Sequence, residues 1–145
     1  MVRRSPEVIV VGVDGSPGSI DALRWAVRQA RATGAEVLAV TAWEIPATFG
    51  YAPSLDDVDW AAEARKTVDT ALGEVVEGGH SVAMTSRVAR GHAGTVLVEA
   101  SRDADLLVVG SRGHGTAVGM LLGSVSEHCV HHAECPVVVV RPRRA

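Results

Sequence analysis

Short apolar runs alternate along this chain with segments whose apolar positions recur every three or four residues. Glu7 to Val13 is a β-rich apolar run and predicts a first strand. Asp14-Gly15-Ser16-Pro17 supplies a turn, an N-cap serine and a proline at the first helical position. The helix that follows runs to about Thr33 and stops at Gly34, with Ile20, Leu23, Val27 and Ala30 on one face. Trp25 lies off that stripe beside Ala22 and Ala26, so the apolar face is broad. Glu36 to Ala42 predicts the second strand, and Trp43 to Leu55, with two prolines and a glycine, a loop. Asp56 to Glu77 reads as a helix carrying Ala61, Val68, Leu72, Val75 and Val76 in register and ending at Gly78-Gly79. Val82, Met84, Ser86 and Val88 alternate as in a third strand, and Ala93, Val96, Leu97 and Ala100 follow the spacing of a short helix. Asp105 to Gly110 predicts the fourth strand, Ser124 to Ala133 the last helix and Pro136 to Val140 the last strand.

Strands and helices in strict alternation predict an α/β fold with one open, parallel five-stranded sheet and helices on both faces, Rossmann-like. The length of 145 residues, without repeat, linker or composition break, is read as one domain spanning 1–145. Aromatic residues are only 3% of the chain, so the core must be built from Val, Leu, Ile and Ala, which suits strands buried on both faces. Ligands of such sheets bind beyond the carboxyl ends of the strands, where the strand order reverses. Two loops qualify, Asp14-Gly15 and the segment from Gly110 to Gly123, and strand order 3-2-1-4-5 would bring them to one crevice.

A formal net charge of −3 gives no electrostatic basis for nucleic-acid binding. Arg3 and Arg4 precede an apolar run, as in a secretory leader, but the run from Val8 ends at Asp14, too short for one. No run reaches transmembrane length, so no membrane partner is expected, and a cytoplasmic location is. Cys129 and Cys135 make no disulfide framework.

The candidate chemistry lies in Val108-Val109-Gly110-Ser111-Arg112-Gly113 and, further on, Gly123-Ser124. A strand, a glycine-bearing loop and a helix start together form a phosphate cradle, because the helix end offers unpaired N–H groups and positive dipole character. The familiar phosphate motifs are absent: there is no G-x-x-x-x-G-K-[ST], and the single lysine, Lys66, is placed mid-helix. Gly12, Gly15 and Gly18 are spaced G-x-x-G-x-x-G, not G-x-G-x-x-G. A response-regulator arrangement would need an acidic pair after the first strand and a lysine after the fifth, and neither is present.

Gly110-x2-Gly113-x9-Gly123-Ser124 closely resembles the ATP-binding signature of the universal stress protein family. Val11-Gly12-Val13-Asp14, Ala104 to Gly110, Gly123 to Glu127 and Cys135 to Arg141 extend the resemblance from about Glu7 to Arg141. It implies an ATP-binding regulatory or stress-response module, with Mg²⁺ accompanying the nucleotide. Carried over residue by residue, it places Asp14, with Val13 before it, beside the nucleotide and the backbone near Ala42 at the adenine. It sets Gly110 and Gly113 along the ribose and phosphates, and Gly123, Ser124, Val125 and Ser126 around the phosphates. Family members commonly form homodimers through the last strand, so Val137 to Val140 is the expected dimer edge; an unknown protein partner is expected to read the surface. Gly94 departs from the family's usual helix former at some cost in helix stability.

Each of these residues also has a simpler account. Ser124-x-x-Glu127 matches a capping box, in which Ser124 would satisfy helix-terminal N–H groups with or without phosphate. Asp14 serves equally as a turn residue, and Arg112 either points to solvent or meets phosphate in place of the absent lysine. His114 is a weaker candidate for the same contact. In His128-Cys129-x-His131-His132-x-x-Cys135 the spacing suits buried thiols and helix-end histidines better than a zinc site. Asp14 is the single acid of the candidate loops, so slow Mg²⁺-dependent hydrolysis is the enzymatic alternative and an efficient ATPase is not indicated. A nucleotide-independent interaction module of the same fold is the other alternative. The segment from Arg112 to Leu122 holds Gly113, Gly115 and Gly119 and is expected to become ordered when nucleotide binds.

Overall fold

The computed structural model describes residues 7–45, 59–76, 82–113 and 122–142. Strands β1 (Val8–Gly12), β2 (Glu36–Trp43), β3 (Met84–Arg90), β4 (Leu106–Gly110) and β5 (Val137–Val140) alternate with helices α1 (Pro17–Thr33), α2 (Trp60–Val75), α3 (Ala93–Ser101) and α4 (Ser124–His132). All pairings are parallel and the order is β3-β2-β1-β4-β5, as the sequence predicts. The chain winds outward from β1 through β2 to β3, then returns to the other side of β1 for β4 and β5. The switch point therefore lies between β1 and β4.

Each central strand divides its residues between two cores, as period-two alternation requires. Ile9, Val11 and Val13 join Val37, Ala39 and Val108 under α1 and α2. Val10, Val40, Leu107 and Val109 face the other way, against Val96, Leu97 and Ala100 of α3 and Cys129 of α4. Leu23 and Val108 are fully buried, and each such side chain contributes about 1.5–3 kcal/mol of transfer free energy. Of the two thiols expected to be buried, Cys129 is completely enclosed, and burial pushes it up to about 11, while Cys135 is only half-buried.

Helix α1 begins as its sequence dictates. Ser16 is the N-cap, its Oγ accepting from Ser19 N, Pro17 opens the helix, and Gly34 closes it in the left-handed region at φ 80°. Helix α2 starts later than the expected Asp56, because the side chain of Asp59 accepts from Ala62 N and caps Trp60 onward. Residues 56–58 and Gly78-Gly79 lie outside the described residues.

One further expectation needs correction. The capping box at Ser124 does not form: Gly123 is the N-cap and makes no side-chain cap bond, and Ser124 is the first residue of the helix. Ser126 ties this helix end instead, its Oγ sharing a proton between the carbonyl oxygens of Ser111 and Gly123, 3.0 Å from each. Gly94 is also more than a weak helix former. A Cβ there would lie 2.8 Å from His128 Cδ2, so glycine is what lets α3 and α4 pack this closely.

Candidate functional site

A cleft opens above the carboxyl ends of β1 and β4, at the switch point. Val13, Asp14, Ala42, Gly110, Arg112, Gly113, Gly123, Ser124, Val125 and Ser126 all line it. These are the ten residues singled out from the sequence, drawn from four segments of the chain. The floor is apolar, with Val40, Leu97 and Val109 beneath the rim.

Asp14 sits in a closed turn. Its Oδ1 accepts from the backbone N of Ser16 at 2.9 Å and also from Ser16 Oγ, and its own N donates to Ser19 Oγ at 3.3 Å. Ser19 Oγ in turn donates to the Ser16 carbonyl at 2.9 Å. The carboxylate is thus oriented by Ser16, which the sequence marks only as a helix cap, while Ser19 fixes the Asp14 backbone. The signal was present, since Asp-x-Ser at a helix start is also an Asx turn. The other carboxylate oxygen points toward the glycine loop: a Cβ at Gly113 would lie 2.6 Å from Asp14 Oδ2.

The glycines divide by what presses on them. At Gly110 a Cβ would stand 2.8 Å from the carbonyl oxygen of Gly18, and at Gly18 it would stand 2.7 Å from that of Arg112. Neither has a positive φ. Gly110 and Gly18 therefore let the first turn of α1 rest directly on the end of β4, and that contact between backbones, not a ligand, already requires both. Gly18 was missed as a site-building residue because its spacing fits no nucleotide fingerprint.

Beyond β4, Ser111 is buried and closes the base of the glycine loop. Its carbonyl accepts from Gly123 N at 2.6 Å and its N donates to Val140 O at 2.8 Å. This bond joins the two flanks of the segment without any ligand. The interior, residues 114–121, lies outside the described residues, and so do His114 and most of the segment expected to respond to nucleotide. Arg112 is exposed at the cleft rim. At the start of α4 the backbone of Ser124, Val125 and Ser126 faces the cleft region with its first N–H groups outside the helical ladder. Asp14 is the single carboxylate and Arg112 the single cation among the described lining residues.

The histidines of the Cys/His segment gather away from the cleft floor, where α3 and α4 meet. The rings of His92 and His128 lie 6.2 Å apart and those of His128 and His132 4.6 Å apart. Among the described residues no group of three or more His, Cys, Asp or Glu is placed to hold a metal, and no helix is long and apolar enough to cross a membrane.

This geometry has known counterparts. The model of the universal stress protein family matches residues 6–141, and the chain belongs to that family. It is 38% identical over 138 residues to universal stress protein Rv2624c of Mycobacterium tuberculosis, covering 94% of this chain and 49% of that protein. The chain thus spans about half the length of the curated relatives it matches. Among solved structures it is similar to the universal stress protein UspA from Lactobacillus plantarum, with a TM-score of 0.78, 24% identity, and 96% and 100% of the two chains covered. It is also similar to a universal stress protein described in complex with cAMP, with a TM-score of 0.68, 30% identity, and 92% and 96% covered.

Proposed function

We propose that this chain is an ATP-binding regulatory module whose nucleotide occupancy alters the surface offered to a protein partner. The observation that carries the reading is convergence: ten residues chosen from sequence, from Val13 to Ser126, line one cleft at the switch point. Val13 and Ala42 over the apolar floor would hold the adenine, and the first turn of α4 with the backbone of Gly113 would meet the phosphates. Arg112 supplies side-chain charge at the rim. Mg²⁺ prefers one or two carboxylates together with phosphate oxygens and water. Asp14, with one oxygen held by Ser16 and the other facing the glycine loop, fits that role. The metal would supply charge neutralisation at the phosphates. With no lysine and no second carboxylate among the described lining residues, hydrolysis is at most slow. The module works in the cytoplasm as a homodimer joined along Val137–Val140.

The relative described in complex with cAMP, at 30% identity, favours a second reading in which the ligand is an adenine nucleotide with a single phosphate. Mass spectrometry of nucleotide co-purifying with the protein, followed by calorimetry with ATP, ATP–Mg²⁺, AMP and cAMP, separates the two. ATP bound more tightly with Mg²⁺ than without supports the first reading, and a preference for AMP or cAMP the second. Failure of all four to bind leaves a nucleotide-independent interaction module. Single-turnover hydrolysis lost in Asp14→Ala, with binding kept, would make the protein a slow hydrolase.

A further inference from the structure

His92 is the N-cap of α3, and its Nδ1 accepts a hydrogen bond from Gly94 N at 3.2 Å. An imidazole nitrogen accepts only while it carries no hydrogen, so this cap requires the neutral ring with its proton on Nε2. The helix it starts is part of the cleft, since Ala93 and Leu97 line it. Helix α4, whose first turn also lines the cleft, is packed on the same spot: His128 rests against Gly94 and meets the His92 ring edge-on. We propose that His92 is a positioning residue for the nucleotide cleft, holding the α3 wall in place only while its ring is neutral; the proposal rests on the nucleotide-binding reading.

Protonation acts against this arrangement in three ways. It places a hydrogen on Nδ1, which then opposes the Gly94 N–H instead of accepting from it. It puts positive charge at a helix N-terminus, the positive end of the dipole. It also sets that charge against the ring of His128, whose own neighbour is the ring of His132. Few anions oppose the change. The first turn of α3 holds no acidic residue. The ionisable groups on the elements around His92 are Arg87 and Arg90 on β3, Glu99 on α3, and Glu127, His128, Cys129, His131 and His132 on α4. Arg90 is engaged over the Trp43 ring at 5.6 Å.

Because the cap needs Nδ1 without a hydrogen, acidification opposes it and alkaline pH favours it. Two readouts test this between about pH 5.5 and 8. One is hydrogen exchange of the Gly94 amide in the ligand-free protein. The other is calorimetric affinity for cAMP, whose diester phosphate keeps one charge throughout. Wild type is expected to lose Gly94 protection and cAMP affinity on acidification. His92→Asn, which caps without titrating, should keep both, and His92→Ala should have low protection at every pH. Identical pH profiles in wild type and His92→Asn, or a Gly94 amide unprotected at every pH, would overturn the proposal. If cAMP binds at no pH, nucleotide binding by that ligand fails on its own, while Gly94 exchange still decides whether a neutral His92 holds α3.

Discussion

Alanine at Gly110 should destabilise the fold, whereas alanine at Gly12 should be nearly neutral. Both residues end central strands, β4 and β1, and both line the cleft. A Cβ at Gly110 would lie 2.8 Å from the Gly18 carbonyl oxygen and 2.9 Å from its carbon, backbone atoms held by the first turn of α1. A Cβ at Gly12 would meet Leu97 Cδ1 at 2.7 Å, the tip of a side chain that can turn aside. Forcing a methyl into a packed site costs about 1–3 kcal/mol. Replacing glycine also narrows the unfolded ensemble and offsets about 0.4–1 kcal/mol of that. Gly110→Ala should therefore lose about 1–2 kcal/mol, or about 3–6 °C in Tm for a domain of this size, and Gly12→Ala should stay within about 1 kcal/mol of wild type. Urea unfolding followed by far-UV circular dichroism measures both. Equal stability of the two variants would refute the claim that the contact between backbones, rather than a ligand, requires glycine at 110.

Gly113→Val and Gly123→Val should fold yet lose nucleotide binding in calorimetry, since at Gly113 even a Cβ would crowd Asp14 Oδ2 at 2.6 Å; wild-type affinity in either variant would remove this loop from the site. Burial raises the Cys129 thiol to about 11, above the unfolded value near 9, so folding is favoured below pH 9 and that contribution is lost as pH rises toward 11. Urea midpoints should fall across that interval in wild type and stay flatter in Cys129→Ala; parallel curves would contradict the assignment. All four residues of β5 are half-buried on a sheet edge, and light scattering at micromolar concentration should give a dimer, a monomer counting against association through that edge.

Much of the molecule was legible in one dimension because its signals are local. A run such as Val8 to Val11 states a strand, and Ser16-Pro17 followed by Gly34 brackets α1, through steric and hydrogen-bonding preferences within a few residues. The alternation of strand and helix then restricts the topology, because parallel strands need crossovers and crossovers have one hand. The two loops around the cleft were legible for a related reason: loops at the carboxyl ends of strands 1 and 4 must share a crevice once the order is 3-2-1-4-5, whereas Ala42 and Val125 came only with the family resemblance.

What sequence could not supply are contacts between groups far apart in the chain whose pairing leaves no local mark. Ser124 and Glu127 fit a capping box by spacing, yet Gly123 caps α4, and Ser126 bonds a carbonyl 15 residues away. Gly94 looks like a poor helix residue until His128 is packed against it, and Gly110 looks like a ligand glycine until Gly18 is found in the space its side chain would fill. Local propensity and period determined which elements form and in what order they stack. Only tertiary packing, where excluded volume acts between distant backbones, decided why particular glycines are needed and which hydroxyls and imidazoles hold the walls of the cleft.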